Sequence, residues 1–82
     1  MLNKLRNLSG KEIIKFLEKN GFSIYKTHGS HFKMRRVVLT QKQTLTIPVH
    51  NFIPKGTLHD IYNQILEYIP GSIELKSFFF TD

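Results

Sequence analysis

The sequence predicts an α+β domain of order α-β-β-β-α: a three-stranded antiparallel sheet with two helices on one face and a short third helix at the C-terminus. Two observations carry that prediction. Apolar residues recur at helical spacing over residues 10–20 and again over 57–69, and between these stretches the period falls to two. At 82 residues the chain lies near the lower limit for a single apolar core, so neither the sheet nor a helix can bury its apolar side except against the others. One domain spanning residues 1–82 is expected, with its core at about 8–69 and an extension at 70–82.

The first helix is announced by Leu8-Ser9-Gly10-Lys11-Glu12-Ile13. Ser9 caps it, Glu12 completes a capping box, and Leu8 staples onto Ile13. Ile13, Ile14, Phe16 and Leu17 form its apolar stripe, and Gly21 stands where a left-handed cap lets Phe22 fold back on Leu17.

From Phe22 the alternation of a strand sets in, with Phe22 and Ile24 on one face and Ser23, Tyr25 and Thr27 on the other, until Gly29 interrupts it. In a second strand Phe32 and Met34 alternate with His31, Lys33 and Arg35, which buries the first pair and turns a histidine and two cations outward. Val37, Val38 and Leu39 extend this strand through a register change. Thr40-Gln41-Lys42-Gln43 then supplies a turn, and Thr44–Ile47 alternates as a third strand that Pro48 ends. Thr57 is expected to cap a second helix whose apolar positions are Leu58, Ile61, Tyr62, Ile65, Leu66 and Ile69, with Pro70-Gly71 closing it. The apolar tail Ser72–Phe80 is read as a short helix capped by Ser72, in preference to an irregular flap.

Composition narrows the function. Hydrophobic residues at 40% and charged residues at 22% are the mixture of a globular domain. The absence of cysteine removes both a disulfide framework and a thiolate zinc site, which points to the reducing cytoplasm. No apolar signal core follows Met1 and no stretch nears the ~20 apolar residues that cross a bilayer, so neither export nor membrane insertion is expected. The net charge is +6, and it is lopsided: residues 1–42 hold ten cations against two acids, whereas the remainder is net negative. Such a half is an electrostatic footprint for a polyanion, most commonly nucleic acid. On charge alone a solvated surface accounts for it equally well.

The six acidic residues are scattered, with no close pair to hold two metals or to act as paired acid and base, and no phosphate-cradling glycine loop is present. Of four histidines, His59 falls on the predicted solvent side of the second helix and is read as a surface residue. His31 differs, because it follows the flexible Gly29-Ser30 and heads the outward row completed by Lys33 and Arg35. RNA carries its own nucleophile, the 2′-hydroxyl, so its cleavage needs only a base that titrates near neutrality, a proton for the leaving 5′-oxygen and cations for the developing charge. His, Lys and Arg on one strand face supply that set, although by itself the pattern is also that of an ordinary basic strand.

Four segments in order, Ser9-Gly10-Lys11-Glu12-Ile13-Ile14-Lys15-Phe16-Leu17-Glu18-Lys19-Asn20-Gly21-Phe22, Gly29-Ser30-His31, Pro48-Val49-His50 and Pro54-Lys55-Gly56-Thr57-Leu58, closely resemble HicA toxins over roughly residues 8–69. These are small messenger-RNA interferases of type II toxin–antitoxin systems. The resemblance implies a fold like that of a double-stranded-RNA-binding domain, an endoribonuclease activity and a HicB-like antitoxin protein as partner; the missing carboxylate pairs add the expectation that it works without metal or other cofactor. The resemblance places the catalytic histidine of the Gly-Ser-His motif on His31. Gly29 and Ser30 then shape the turn that presents it, and Lys11, Lys33 and Arg35 are the residues chosen to bind RNA phosphates. His28, where relatives often carry a basic or small residue, is read as a bystander in preference to a second proton-transfer group. His50 is read as structural, pinning the strand-to-helix loop. Phe52 and Ile53 lie where relatives tend to be polar, either anchoring a partner or sealing the core. The runner-up function is an RNA-binding module of the same fold without catalysis. A DNA regulator is weaker, since no helix-turn-helix pattern appears.

Overall fold

The computed structural model describes residues 2–82. Local chemistry bounds the first helix, α1 (Gly10–Lys19), as the sequence leads one to expect. The Ser9 hydroxyl accepts from the Glu12 backbone N–H at 3.2 Å, and the Glu12 carboxylate accepts in return from the Ser9 N–H at 3.0 Å. At the other end Gly21 takes φ +89°, the Gly21 N–H donates to Glu18 and the Phe22 N–H to Leu17, the paired bonds of a Schellman motif. Leu8, Ile13, Leu17 and Phe22 are all buried, so staple and fold-back both join the core.

Three strands follow α1, and their antiparallel sheet runs in sequence order. Preceded by a two-residue strand β1 (Lys4–Leu5), they are β2 (Ser23–His28), β3 (His31–Val38) and β4 (Gln41–Pro48). Met34, Leu45 and Ile47 alternate onto one face and are buried there with Ile13 and Leu17 of α1 and Leu58, Ile61 and Ile65 of α2 (Lys55–Tyr68). Both helices therefore cover the same side of the sheet. The short helix α3 (Ile73–Phe79) is capped by the Ser72 hydroxyl, which accepts from Leu75 N–H at 3.1 Å. Phe78 of α3 stacks on Phe16 of α1 at 4.4 Å, and Phe79 packs 5.4 Å from Tyr62 of α2.

Four details depart from the sequence reading. The β3–β4 register runs without interruption from His31↔Pro48 to Val38↔Gln41, so the turn is Leu39-Thr40 and β4 begins three residues earlier than expected. Leu39 stands there at φ +57° and 94% exposed, a conformation that its side chain gave no reason to anticipate. Helix α2 starts at Lys55, with Pro54 and not Thr57 as its cap, because a proline before the first turn presets the backbone without a side-chain hydrogen bond. Ile24 is 38% exposed, on β2 at one of the two edges of the sheet. Finally, β1 pairs with a strand β5 (Phe80–Thr81), joining the two ends of the chain in a ribbon that no local pattern signals.

Of the glycines, Gly10 has the least room for a side chain. A Cβ placed on it would fall inside the Pro48 carbonyl group and 2.9 Å from Val49 Cα, while its own N–H donates to the His50 carbonyl at 3.0 Å. In an open helix alanine is favoured over glycine by up to about 1 kcal/mol. Here Gly10→Ala is expected to destabilise instead, by roughly 1–3 kcal/mol as overpacking does. Urea unfolding of the two proteins measures the difference, and a variant more stable than wild type would contradict the contact.

Candidate functional site

The turn between β2 and β3 is two residues long, Gly29-Ser30, with Gly29 at φ +59°. A positive φ at the first central position suits the right-handed twist of a hairpin, and glycine takes it without steric cost. The residues on either side, His28 and His31, become a directly opposed cross-strand pair. Such pairs share a sheet face, with Cβ atoms roughly 5 Å apart.

Below that pair the register slips. Ile24 opposes Met34, but the next pair is Lys26 with Lys33, leaving Tyr25 as an extra residue in a β-bulge. The slip reverses the facing of everything beyond it. Thr27, expected on the outer side, opposes Phe32 on the core side, whereas Lys26 and His28 turn outward with Lys33 and His31. The displaced Tyr25 ring lies under the Arg35 guanidinium, 4.5 Å from its centroid. Such a contact orients the cation without neutralising it.

The sheet face left bare by the helices therefore carries Lys26, His28, His31, Lys33 and Arg35 together. Lys26, His28, His31, Lys33 and Thr46 line a depression of about 350 Å³ with no carboxylate among them. His31 also borders a second cleft, of about 490 Å³, between the ends of β3 and β4 and the start of α2. That cleft holds no lysine or arginine; its polar side chains include His50, Thr57, Asp60 and Gln64. Ser30 helps to hold the turn in place, because its carbonyl accepts from Val49 N–H at 2.6 Å.

The other expected residues are dispersed. Lys11 is exposed at the start of α1 and borders neither cavity that His31 lines. The backbone of His50 does pin the loop, through the bond from Gly10, while its side chain is exposed beside the second cleft. His59 is exposed on α2, with Nδ1 3.2 Å from the Asn63 amide. Ile53 is buried and seals the core, whereas Phe52 is 65% exposed and takes no part in it. Among the described residues no three His, Asp or Glu side chains converge as metal ligands would, and no helix is long and apolar enough to cross a membrane.

Arg36, one of the ten cations of the basic half, points the other way. Its guanidinium donates to the Asn20 carbonyl at 3.0 Å, the Tyr68 carbonyl at 3.2 Å and the Gln43 side chain at 2.9 Å, and lies 4.8 Å over the Phe22 ring. It ties the ends of α1 and α2 to the sheet. The bulge that recruits Lys26 and His28 escaped the sequence reading, because no glycine marks it.

No curated protein and no solved structure matches the chain. A family model described as the HicA toxin of bacterial toxin-antitoxin matches residues 10–66. That span runs from the start of α1 through the whole sheet and most of α2, and leaves out the β1–β5 ribbon and α3. A match over most of the chain, agreeing with the architecture and taking in the hairpin that presents His31, establishes that the chain belongs to the HicA toxin family.

Proposed function

We propose that this protein is a toxin endoribonuclease that cleaves messenger RNA with His31 as its catalytic residue, needs no metal, acts in the cytoplasm and is silenced by a HicB-like antitoxin. One observation carries the reading: the register sets His31 in line with Lys33 and Arg35 on the sheet face that the helices leave open. His31 there meets a substrate phosphate held by cations, with the ribose 2′-hydroxyl as nucleophile, so the protein has only protons to move and charge to stabilise. Lys33 and Arg35 hold phosphates on the face, Lys11 meets phosphate apart from it, at the start of α1, and Gly29 and Ser30 bring the RNA backbone close to the turn.

RNA cleavage is accordingly expected to persist in excess EDTA and to leave 2′,3′-cyclic phosphate ends. His31→Ala should lower the rate by a factor on the order of 10² to 10⁴, the usual yield of general acid–base catalysis, with an unchanged circular dichroism spectrum. A magnesium requirement, or wild-type cleavage by the variant, would overturn the reading; binding without any cleavage would leave an RNA-binding module.

Affinity for RNA should fall with salt by roughly 0.7 log units per log unit of salt for each single-strand phosphate contacted. Lys33→Ala and Arg35→Ala should each reduce that slope by about one contact, read from filter binding across a salt series. An unaltered slope in both would remove the open face from the binding surface.

Membership of a toxin–antitoxin family implies an antitoxin partner. An acidic protein is drawn quickly to so basic a face and, seated over His31, excludes substrate. The exposed Phe52, in the loop between β4 and α2, suits an interface anchor. In a purified complex, hydrogen exchange should show protection over residues 28–36 together with loss of cleavage; protection elsewhere with RNA still cut would refute occlusion.

A further inference from the structure

We propose that His28 is a second catalytic residue, the general acid that protonates the leaving 5′-oxygen while His31 acts as the general base. The inference rests on the reading of the protein as a ribonuclease and adds a residue that the sequence alone leaves aside.

Three features of the structure support it. The bulge at Tyr25 turns His28 to the same sheet face as His31, and the two are opposed across the hairpin, close enough for both rings to reach one phosphate. Both are exposed, so substrate has access. The depression they share is lined otherwise by Lys26, Lys33 and Thr46, which makes it cationic and suited to the scissile phosphate.

The division of roles follows from what each ring borders. His31 stands between the cationic depression and the second cleft, where the nearby titratable groups are His50 and Asp60 and no lysine or arginine is present. At about 490 Å³ that second cleft has room for a nucleoside, and one seated there would carry its 2′-hydroxyl beside His31. His28 borders only the depression, with Lys26 on its own strand and His31 and Lys33 on β3 as the charged or titratable groups around it. It is therefore placed on the side of the phosphate away from the attacking ribose, where the leaving group departs. In the reaction the neutral His31 imidazole takes the 2′-hydroxyl proton as the 2′-oxygen bonds to phosphorus. The bond from phosphorus to the 5′-oxygen breaks, and that oxygen takes a proton from the His28 imidazolium. The products are a 2′,3′-cyclic phosphate and a 5′-hydroxyl, with His31 protonated and His28 neutral until exchange with water resets both.

The test uses two dinucleotide substrates, one with the ordinary 5′-oxygen leaving group and one with sulfur in its place, because a thiolate leaves without being protonated. His28→Ala and His28→Gln should cut the ordinary substrate slower by a factor on the order of 10² to 10⁴ and recover most of the loss on the sulfur substrate. His31→Ala should be slow on both. His28 variants that cut the ordinary substrate at the wild-type rate, or that are slowed equally on both substrates, would overturn the proposal. If His31→Ala is still inactive in that case, the ribonuclease reading survives; if His31→Ala is also fully active, both fall together.

Discussion

Helix α1 meets the end of β4 backbone to backbone, and only the missing side chain at residue 10 permits it. Much of the molecule is placed by that contact. The Gly10 N–H donates to His50, one residue further back Val49 donates to Ser30, and Ser30 belongs to the turn that precedes His31. Three segments remote in sequence are thus linked by main-chain hydrogen bonds alone. Such bonds are short and leave few rotatable torsions, so the histidine at the head of β3 stands on a rigid base although the face around it is open to solvent.

A three-stranded sheet in a chain of this size has enough helix to cover one side only, and the sidedness sorts the charges. On the covered side a cation is admissible when its donors find acceptors, and Arg36 satisfies this with two main-chain carbonyls, one side-chain amide and an aromatic ring. On the bare side the cations keep their charge available. Arg35 and Arg36 are adjacent in sequence and opposite in use, one set over Tyr25 at the surface and the other joining helix ends beneath it.

How much of this was legible depended on whether the determinant was local. The capping box at Ser9, the left-handed Gly21 and the cap at Ser72 involve residues within a few positions of one another, and each appears as the pattern implies. The outward row His31, Lys33, Arg35 follows from alternation in a strand that keeps one register. The rest depends on pairing between distant or apparently unsuited residues. The β1–β5 ribbon joins positions near the two ends of the chain, the turn at Leu39 is chosen by the register of eight cross-strand pairs against the residue's own preference, and the bulge at Tyr25 is visible only once β2 is laid beside β3. Hence the strand alternation located half of the open face's row, His31 with Lys33 and Arg35, and missed the half contributed by Lys26 and His28.

The strand that supplies that second half also lies at the border of the sheet, with one row of peptide groups unpaired by any neighbouring strand. Such a border invites another chain to add itself, and proteins discourage this with irregular backbone and with lysine. Here the bulge at Tyr25 and the charge of Lys26 do both, at the residues that shape the cationic depression. Two copies approaching edge to edge would bring like charges together on a kinked backbone. The residues that make this face cationic thereby also discourage strand addition along β2.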